Sequence, residues 1–401
     1  MKRIGEKLIL FLVLPFAGFL ESFVKPWSSS SRTIIFLWFV AFGMCFTPTN
    51  KDADSWRYAE EFKVESRASS AQFQQQISDY FNNYQTTSTK DIYIVAMTFL
   101  VSRFTGNPHV FFMMLALVFA FFYVKSMKFI TPIFTEKYEK YVVPLLFLLF
   151  CLSNPMFNIN GVRFWTAAWI SVFVLFQVLV NRNYLYLLLA PATILVHASF
   201  VIFVALLGIY FLVGYLDKVW RVIFIISLFF AALSVVPSFQ LTGIPLPAFF
   251  ESEMEAYASD AAIMEMQSAY QDMSLYAQVL NILPRVFINV LVVLLLFKED
   301  EIFKNQERKR VMRMMLVLLS FVNITFSIPS VGVRFFRLVF PLLIYLLIKT
   351  PSFVNRYKVV VYLFPLAFIV EIVYWFRHMA MVTTITDYIS PLPSLMYQYL
   401  F

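Results

Sequence analysis

YVVPLLFLLFCLSNPMFNINGVRFWTAAWISVFVLFQVLV, residues 141–180, is two apolar runs joined by an asparagine-rich turn. Tyr141–Phe157 and Phe164–Val180 are 17 residues each. About 17 is the practical minimum for a helix that crosses the roughly 30 Å hydrocarbon layer of a bilayer. Inside a bilayer every backbone N–H and C=O needs an internal partner, so such runs are helices. The turn Asn158-Ile159-Asn160-Gly161-Val162-Arg163 is short and polar and sets an arginine at the membrane boundary.

The rest of the chain has the same character. Its 401 residues are 60% hydrophobic and 14% charged, and the mean hydropathy of +0.74 places it among polytopic membrane proteins. A net charge of +8 would suit nucleic acid, but the basic residues stand in short loops between apolar runs, the ordinary signal of membrane topology, and nucleic-acid binding is excluded. Cys45 and Cys151 both lie in apolar runs, which implies neither a disulfide framework nor a metal cluster. The sequence has no GxxxxGK[ST] phosphate loop and no HExxH site, so nucleotide hydrolysis and zinc-protease chemistry have no support.

Threading the runs through a bilayer gives a topology. Residues 1–32 form a cytoplasmic interfacial segment: Leu8–Leu20 is short, contains Pro15 and is flanked by cations on both sides, and no small-residue cleavage site follows it. Thr33–Thr49 crosses outward, and residues 50–90 make a polar outer loop with helical pieces. Asp91–Phe104 is re-entrant or interfacial, because a crossing there would put Lys125, Lys128, Lys137 and Lys140 outside. Crossings follow near Val110–Val124, Tyr141–Phe157, Phe164–Val180, Leu185–Val196, Phe200–Tyr215 and Val222–Val236. The acidic stretch 237–275 is a second outer loop, with Glu251, Glu253, Glu255, Asp260, Glu265 and Asp272. Ala277–Phe297 returns inward to a cytoplasmic basic loop at 298–313; Met314–Ile328, Leu338–Ile348 and Val359–Phe376 complete the chain, leaving the C-terminus outside. The expected fold is all-α: one integral membrane bundle over residues 1–401, with about ten or eleven transmembrane helices and two larger extracytoplasmic loops.

In this topology the cations after Asp91 sort by type. Lysines 125, 128, 137, 140, 218, 298, 304, 309, 349 and 358 are cytoplasmic. The outer side has Arg103, Arg163, Arg334, Arg337 and Arg377, with Arg285 just inside the bilayer and His109, His197 and His378 nearby. The positive-inside rule disfavours those arginines. A planar guanidinium suits bidentate binding of phosphate or carboxylate, so an anionic ligand at the outer boundary explains them.

Each candidate has a functional and a plain reading. Asp52 and Asp54, just beyond the first crossing, suit a base that takes a proton from an acceptor hydroxyl, or a helix cap with solvated charge. Arg163 in its tight polar turn suits a ligand contact, or a snorkelling side chain. Arg334 and Arg337, three apart on one helical face, suit a chelating pair for a diphosphate. His197, in His197-Ala198-Ser199 between apolar helices, is either a satisfied core histidine or a donor to a phosphate oxygen. Arg377-His378 is a fainter version of that pattern, and Arg103 and His109 read as anchors of the re-entrant segment. The acidic outer loop is a lid for a glycan or a solvated helix.

The order of these features resembles the EpsG family of glycan polymerases, related in role to the Wzy O-antigen polymerases. It runs Asp54 to Tyr58 as Asp-x-x-x-Tyr, the asparagine-rich turn into Arg163, His197-Ala198-Ser199 after a short helix, and Arg334 with Arg337 before a late helix. The likeness spans about residues 33–377, and the family's Arg-Gln pair is Arg163-Phe164 here. The resemblance implies a GT-C-like bundle in the bacterial cytoplasmic membrane that joins oligosaccharide repeat units at the outer face, moving a chain from undecaprenyl diphosphate to a lipid-linked acceptor. Asp54 is then the expected base and His197 a helper. Arg163, Arg334, Arg337, Arg285 and Arg377 are expected to bind diphosphate, and Asp52, Tyr58 and Asn160 glycan. No metal or other cofactor is expected; the partners are membrane lipid, a flippase and a chain-length regulator. The alternatives are a ligase or acyltransferase at the same face, or a flippase for the same lipid.

Overall fold

The computed structural model describes residues 4–24, 26, 28–51, 53–65, 68–82, 91–130, 142–233, 275–298, 302–326 and 329–401. Among these the chain is helical, with no strand. Asp52, Lys137, Lys140 and the acidic stretch 237–274 lie outside the described residues.

The chain forms two compact units, one of Met1–Glu136, Asn154–Val201 and Ile372–Phe401, the other of Lys137–Ser153 and Ile202–Glu371. The first opens with α1 (Ile4–Val13), α2 (Pro15–Val24) and α3 (Ser29–Cys45). Pro15, which cannot sit inside a helix without losing a backbone hydrogen bond, begins the second of them. Ser28 caps α3 by accepting from the Ser31 N–H at 3.0 Å. Lys7, buried on α1, donates to the Ser31 hydroxyl at 2.5 Å and ties the interfacial segment to the first long apolar helix.

After α3 come α4 (Asp54–Glu65) and α5 (Ser70–Asn82), then α6 (Ile92–Ser102) and α7 (Pro108–Met127). The 11 residues of α6 make roughly 16 Å of helix, about half the hydrocarbon thickness. Arg103 donates to the Ala68 carbonyl and covers the Phe99 ring. His109 Nδ1–H donates to the Met44 carbonyl at 3.0 Å.

Helices α3 and α7 pack closely because Gly43 has no side chain. A Cβ there would stand 2.3 Å from the Ala116 Cβ and 2.7 Å from the Phe112 carbonyl oxygen. Small residues at such crossings let backbones approach where lipid supplies no hydrophobic drive. Gly43→Ala is expected to destabilise the protein by about 1–3 kcal/mol, measured by thermal unfolding in detergent. Adding Ala116→Gly should recover only part of the loss, since the Phe112 carbonyl stays in the way.

The quoted stretch becomes α8 (Val142–Ser153), a 3-10 turn at Met156–Gly161 and α9 (Val162–Leu179). From Thr166 to Phe176 every residue of α9 is buried. Next come a 3-10 turn at Tyr184–Leu188, α10 (Leu189–Val196), α11 (Val201–Val213), α12 (Asp217–Leu233) and α13 (Leu275–Leu296).

Helix α14 (Gln306–Thr325) starts eight residues before Met314. The basic stretch expected as a loop over 298–313 is thus helical from Gln306. Asn305 Oδ1 accepts the Glu307 and Arg308 N–H groups at 2.9 and 3.1 Å, and arginine, lysine and glutamine are good helix formers. On its first turns Asp217 holds Lys309 at 3.0 Å and Arg313 at 2.5 Å. Burial pushes the Asp217 carboxyl up, but those two cations outweigh it and hold it below the usual carboxylate range.

Helix α15 spans Pro329–Lys349, where the run Leu338–Ile348 was expected. Arg334 and Arg337 therefore stand inside its second and third turns, not ahead of it. Gly332 lets the start of α15 lie close against the end of α14: a Cβ there would meet the Phe326 Cα at 2.5 Å. After a 3-10 stretch at Phe364–Phe368, α16 (Ile369–Val382) carries Glu371, Arg377 and His378. The segment beyond it ends in α17 (Leu392–Leu400), where Leu395 packs on Met44 and Cys45.

By length and composition, four stretches among the described residues can cross a membrane: Pro108–Met127, Pro144–Leu179, Val331–Lys349 and Lys358–Val382. Five shorter apolar helices accompany them, Ser29–Cys45, Ile92–Ser102, Tyr184–Val196, Ala198–Val213 and Ile282–Leu296. The chain has the build of a helical membrane protein.

Candidate functional site

In the first unit, polar groups gather around Arg163 in the first turn of α9. Its Nε–H donates to the Tyr58 hydroxyl at 2.7 Å, and its Nη1–H donates to Asp91 Oδ2 at 2.6 Å. The other Asp91 oxygen accepts the Ala198 backbone N–H at 2.8 Å. Asp91 occupies the N-cap position of α6 but makes no cap bond there. Its carboxylate reaches across to α9 and to the turn after α10, where negative charge is favoured at a helix start. The Asp91 side chain is 4% exposed and that of Arg163 19%, a buried ion pair whose geometry is fixed from both sides.

Tyr58 holds the opposite edge. It is 1% exposed, and its ring lies 5.2 Å from the Arg163 guanidinium carbon and 5.5 Å from that of Arg57. Burial pushes the Tyr58 phenol up, against the pull of Arg163, so it stays protonated. With almost no exposed surface, Tyr58 braces Arg163 through its hydroxyl and its ring face. Arg57 in turn pairs with Asp54 at 2.7 Å and Glu61 at 3.7 Å. The result is an alternating row of Asp54, Arg57, Tyr58, Arg163 and Asp91.

Of the five guanidinium N–H bonds, two are used. Among the described residues, Arg163 Nη2 has no hydrogen-bond partner, and the side chain keeps its partial exposure. That edge is what an anion can take. Asp54 is half-exposed at the other end of the row, its side chain 44% accessible. Glu61, beside it, has its carboxyl raised above the usual range by burial.

The asparagines of the turn are braces. Asn160 Oδ1 accepts from the Ser55 hydroxyl at 2.6 Å and joins the turn to α4. Asn154, buried, donates to the Trp165 carbonyl at 3.0 Å and accepts from Asn158 at 2.8 Å. His197 caps its own turn: Nδ1 accepts the Ser199 N–H at 3.3 Å, which puts the proton of the neutral ring on Nε2, a donor. Its ring packs edge-on to Phe164, 5.4 Å between centroids. Arg377, also in this unit, is exposed and lies next to His378, whose ring meets that of Tyr374 at a 35° tilt, 3.7 Å between centroids.

The second unit collects Arg285, Arg334 and Arg337 around the end of α14 and the first part of α15. Arg285 follows Pro284 inside α13 and is 3% exposed. Its guanidinium carbon lies 3.8 Å from the centroid of Phe326, and Phe326 meets Phe336, between Arg334 and Arg337 in sequence, at 6.3 Å. Behind Arg285, Asn289 and Asn323 exchange amide hydrogen bonds of 3.1 and 2.8 Å, and Asn323 donates to Ser227 at 3.1 Å. This buried polar ladder joins α12, α13 and α14. Arg337 faces Glu371, Nη1 to Oε2, at 2.8 Å.

Sequence reading missed Asp91 and Glu371, the carboxylates that hold two of the expected arginines. The available signal was an acid at the edge of one apolar run and an acid inside another, both costly in a membrane unless partnered.

No curated protein and no solved structure shows a significant match to this chain. A family model described as "EpsG family" matches residues 31–391, which takes in Asp54, Tyr58, Asp91, Arg163 and His197 together with Arg285, Arg334 and Arg337, and the chain belongs to the EpsG family.

Proposed function

We propose that this chain is a membrane glycosyltransferase that polymerises lipid-linked oligosaccharide repeat units at the outer face of the bacterial cytoplasmic membrane. Membership of the EpsG family suggests a polysaccharide polymerase-type function. The finer reading rests on one observation above the others. Arg163 is locked by Tyr58 and Asp91 at a membrane boundary while its Nη2 edge stays uncommitted.

In the proposed reaction an acceptor sugar hydroxyl attacks the anomeric carbon of the donor chain. The bond from that carbon to the diphosphate oxygen breaks, its electron pair leaves with the undecaprenyl diphosphate, and the hydroxyl proton passes to Asp54. Charge grows on the leaving diphosphate in the transition state. A guanidinium already fixed in a poorly solvated place stabilises that charge without reorganising, the source of the largest catalytic effects of this kind. His197 Nε2–H is a second donor in the same unit. Donor and acceptor each carry a lipid diphosphate, so the reaction has use for a second arginine set, and Arg285, Arg334 and Arg337 suit it.

The test is polymerisation of purified lipid-linked repeat units by the full chain in nanodiscs. A ladder of lengthening glycans is the expected result, and a deletion strain should accumulate single repeat units on the carrier. Long carrier-linked chains in that strain, with no ladder in vitro, would identify a ligase and overturn the reading.

A further inference from the structure

We propose that Glu371 is a built-in counter-anion that makes the Arg334–Arg337 site select prenyl diphosphates over prenyl monophosphates. The inference rests on the reading of that site as one for lipid diphosphate.

Arg337 and Glu371 lie on apolar helices, with side chains only 13% and 25% exposed. Either charge alone would be costly at that depth, and each is tolerated because the other neutralises it. An anion added beside the neutral pair would leave a net negative charge at that depth, so binding at Arg337 favours release of the Glu371 carboxylate, which at its exposure keeps a route to solvent. Arg334 stands one turn earlier on the same face, with Cβ atoms about 5–6 Å apart at such a spacing. A diphosphate presents two linked phosphoryl groups. Held by one of them at Arg334, it brings the other to Arg337 at high effective concentration, and the exchange becomes an intramolecular step. A monophosphate engages one arginine at a time and meets Glu371 without that advantage. Pro341 adds some freedom at this point, since it has no N–H to give the Arg337 carbonyl, its normal helical acceptor.

The experiment measures binding of farnesyl diphosphate and farnesyl monophosphate to the full chain in nanodiscs, with no polymerisation required. Wild type is expected to prefer the diphosphate. Glu371→Gln should tighten monophosphate binding by about tenfold and narrow the preference accordingly, whereas Glu371→Asp, which keeps the carboxylate, should hold it. In Arg337→Gln/Glu371→Gln, a neutral pair that leaves no stranded charge, the gain should vanish because it depends on Arg337. An unchanged preference in a folded Glu371→Gln protein would overturn the counter-anion role, as would Glu371→Asp behaving like Glu371→Gln. If Glu371→Gln does not fold, the double variant and Glu371→Asp decide the matter. Wild type that binds neither lipid would instead overturn the diphosphate-site reading beneath it.

Discussion

Arg163→Ala is expected to lose about 10²–10³-fold in polymerisation rate, the usual consequence of removing one preorganised donor from a developing anion. Arg163→Lys should recover little of it. A lysine is a single point charge and cannot keep one edge on Tyr58 and Asp91 while offering the other to phosphate. The same substitution also threatens the fold, because Asp91 is 6% exposed and would be left as a buried charge, at a cost of about 3–5 kcal/mol. Rate and stability have to be separated before the loss is assigned to catalysis.

A double variant separates them. Arg163→Gln/Asp91→Asn removes both charges together and leaves polar groups of similar size, and the amide oxygen that replaces the carboxylate can still accept the Ala198 N–H. Thermal unfolding should return most of the way to wild type, since replacing a whole buried pair is far milder than breaking it. Polymerisation should stay as low as in Arg163→Ala. Recovery of activity along with stability would show that Arg163 only holds the fold together.

How much of this was legible beforehand depends on the range of the interaction. Apolar runs announced their helices well: α9 was expected from Phe164 and begins at Val162. Boundaries failed where charge lay inside a helix. The run at Leu338 was cut short by Arg334 and Arg337, yet α15 begins at Pro329, because a charge inside an apolar helix is tolerated once it is paired, as Arg337 is with Glu371. Asp91 lies 72 residues from Arg163 and 107 from Ala198. Local pattern gives only its place at the head of α6, where an acid reads as a cap, and the missing cap bond is visible only in three dimensions. The asparagines were legible as a tight turn but not as braces, since Asn160 spends its oxygen on Ser55, 105 residues away.

The same contrast between committed and available carboxylates decides where a base is to be sought. Asp91 is enclosed, with one oxygen on Arg163 and the other on Ala198, and a carboxylate only 4% exposed is out of reach of a substrate hydroxyl. Asp54 is accessible and held only by exposed Arg57, a surface pair worth no more than about 1 kcal/mol. Asp54→Asn is therefore expected to leave the melting temperature and prenyl diphosphate binding at wild-type values while lowering the polymerisation rate by about 10²–10⁴-fold, the range of a lost general base. Asp91→Asn should instead lower the melting temperature along with the rate. Full activity in Asp54→Asn would move the role to Glu61, whose raised carboxyl keeps a proton to higher pH. In that case the rate of wild type should rise with pH through the Glu61 titration, because a base works only once its proton has left, and Glu61→Gln should remove that rise.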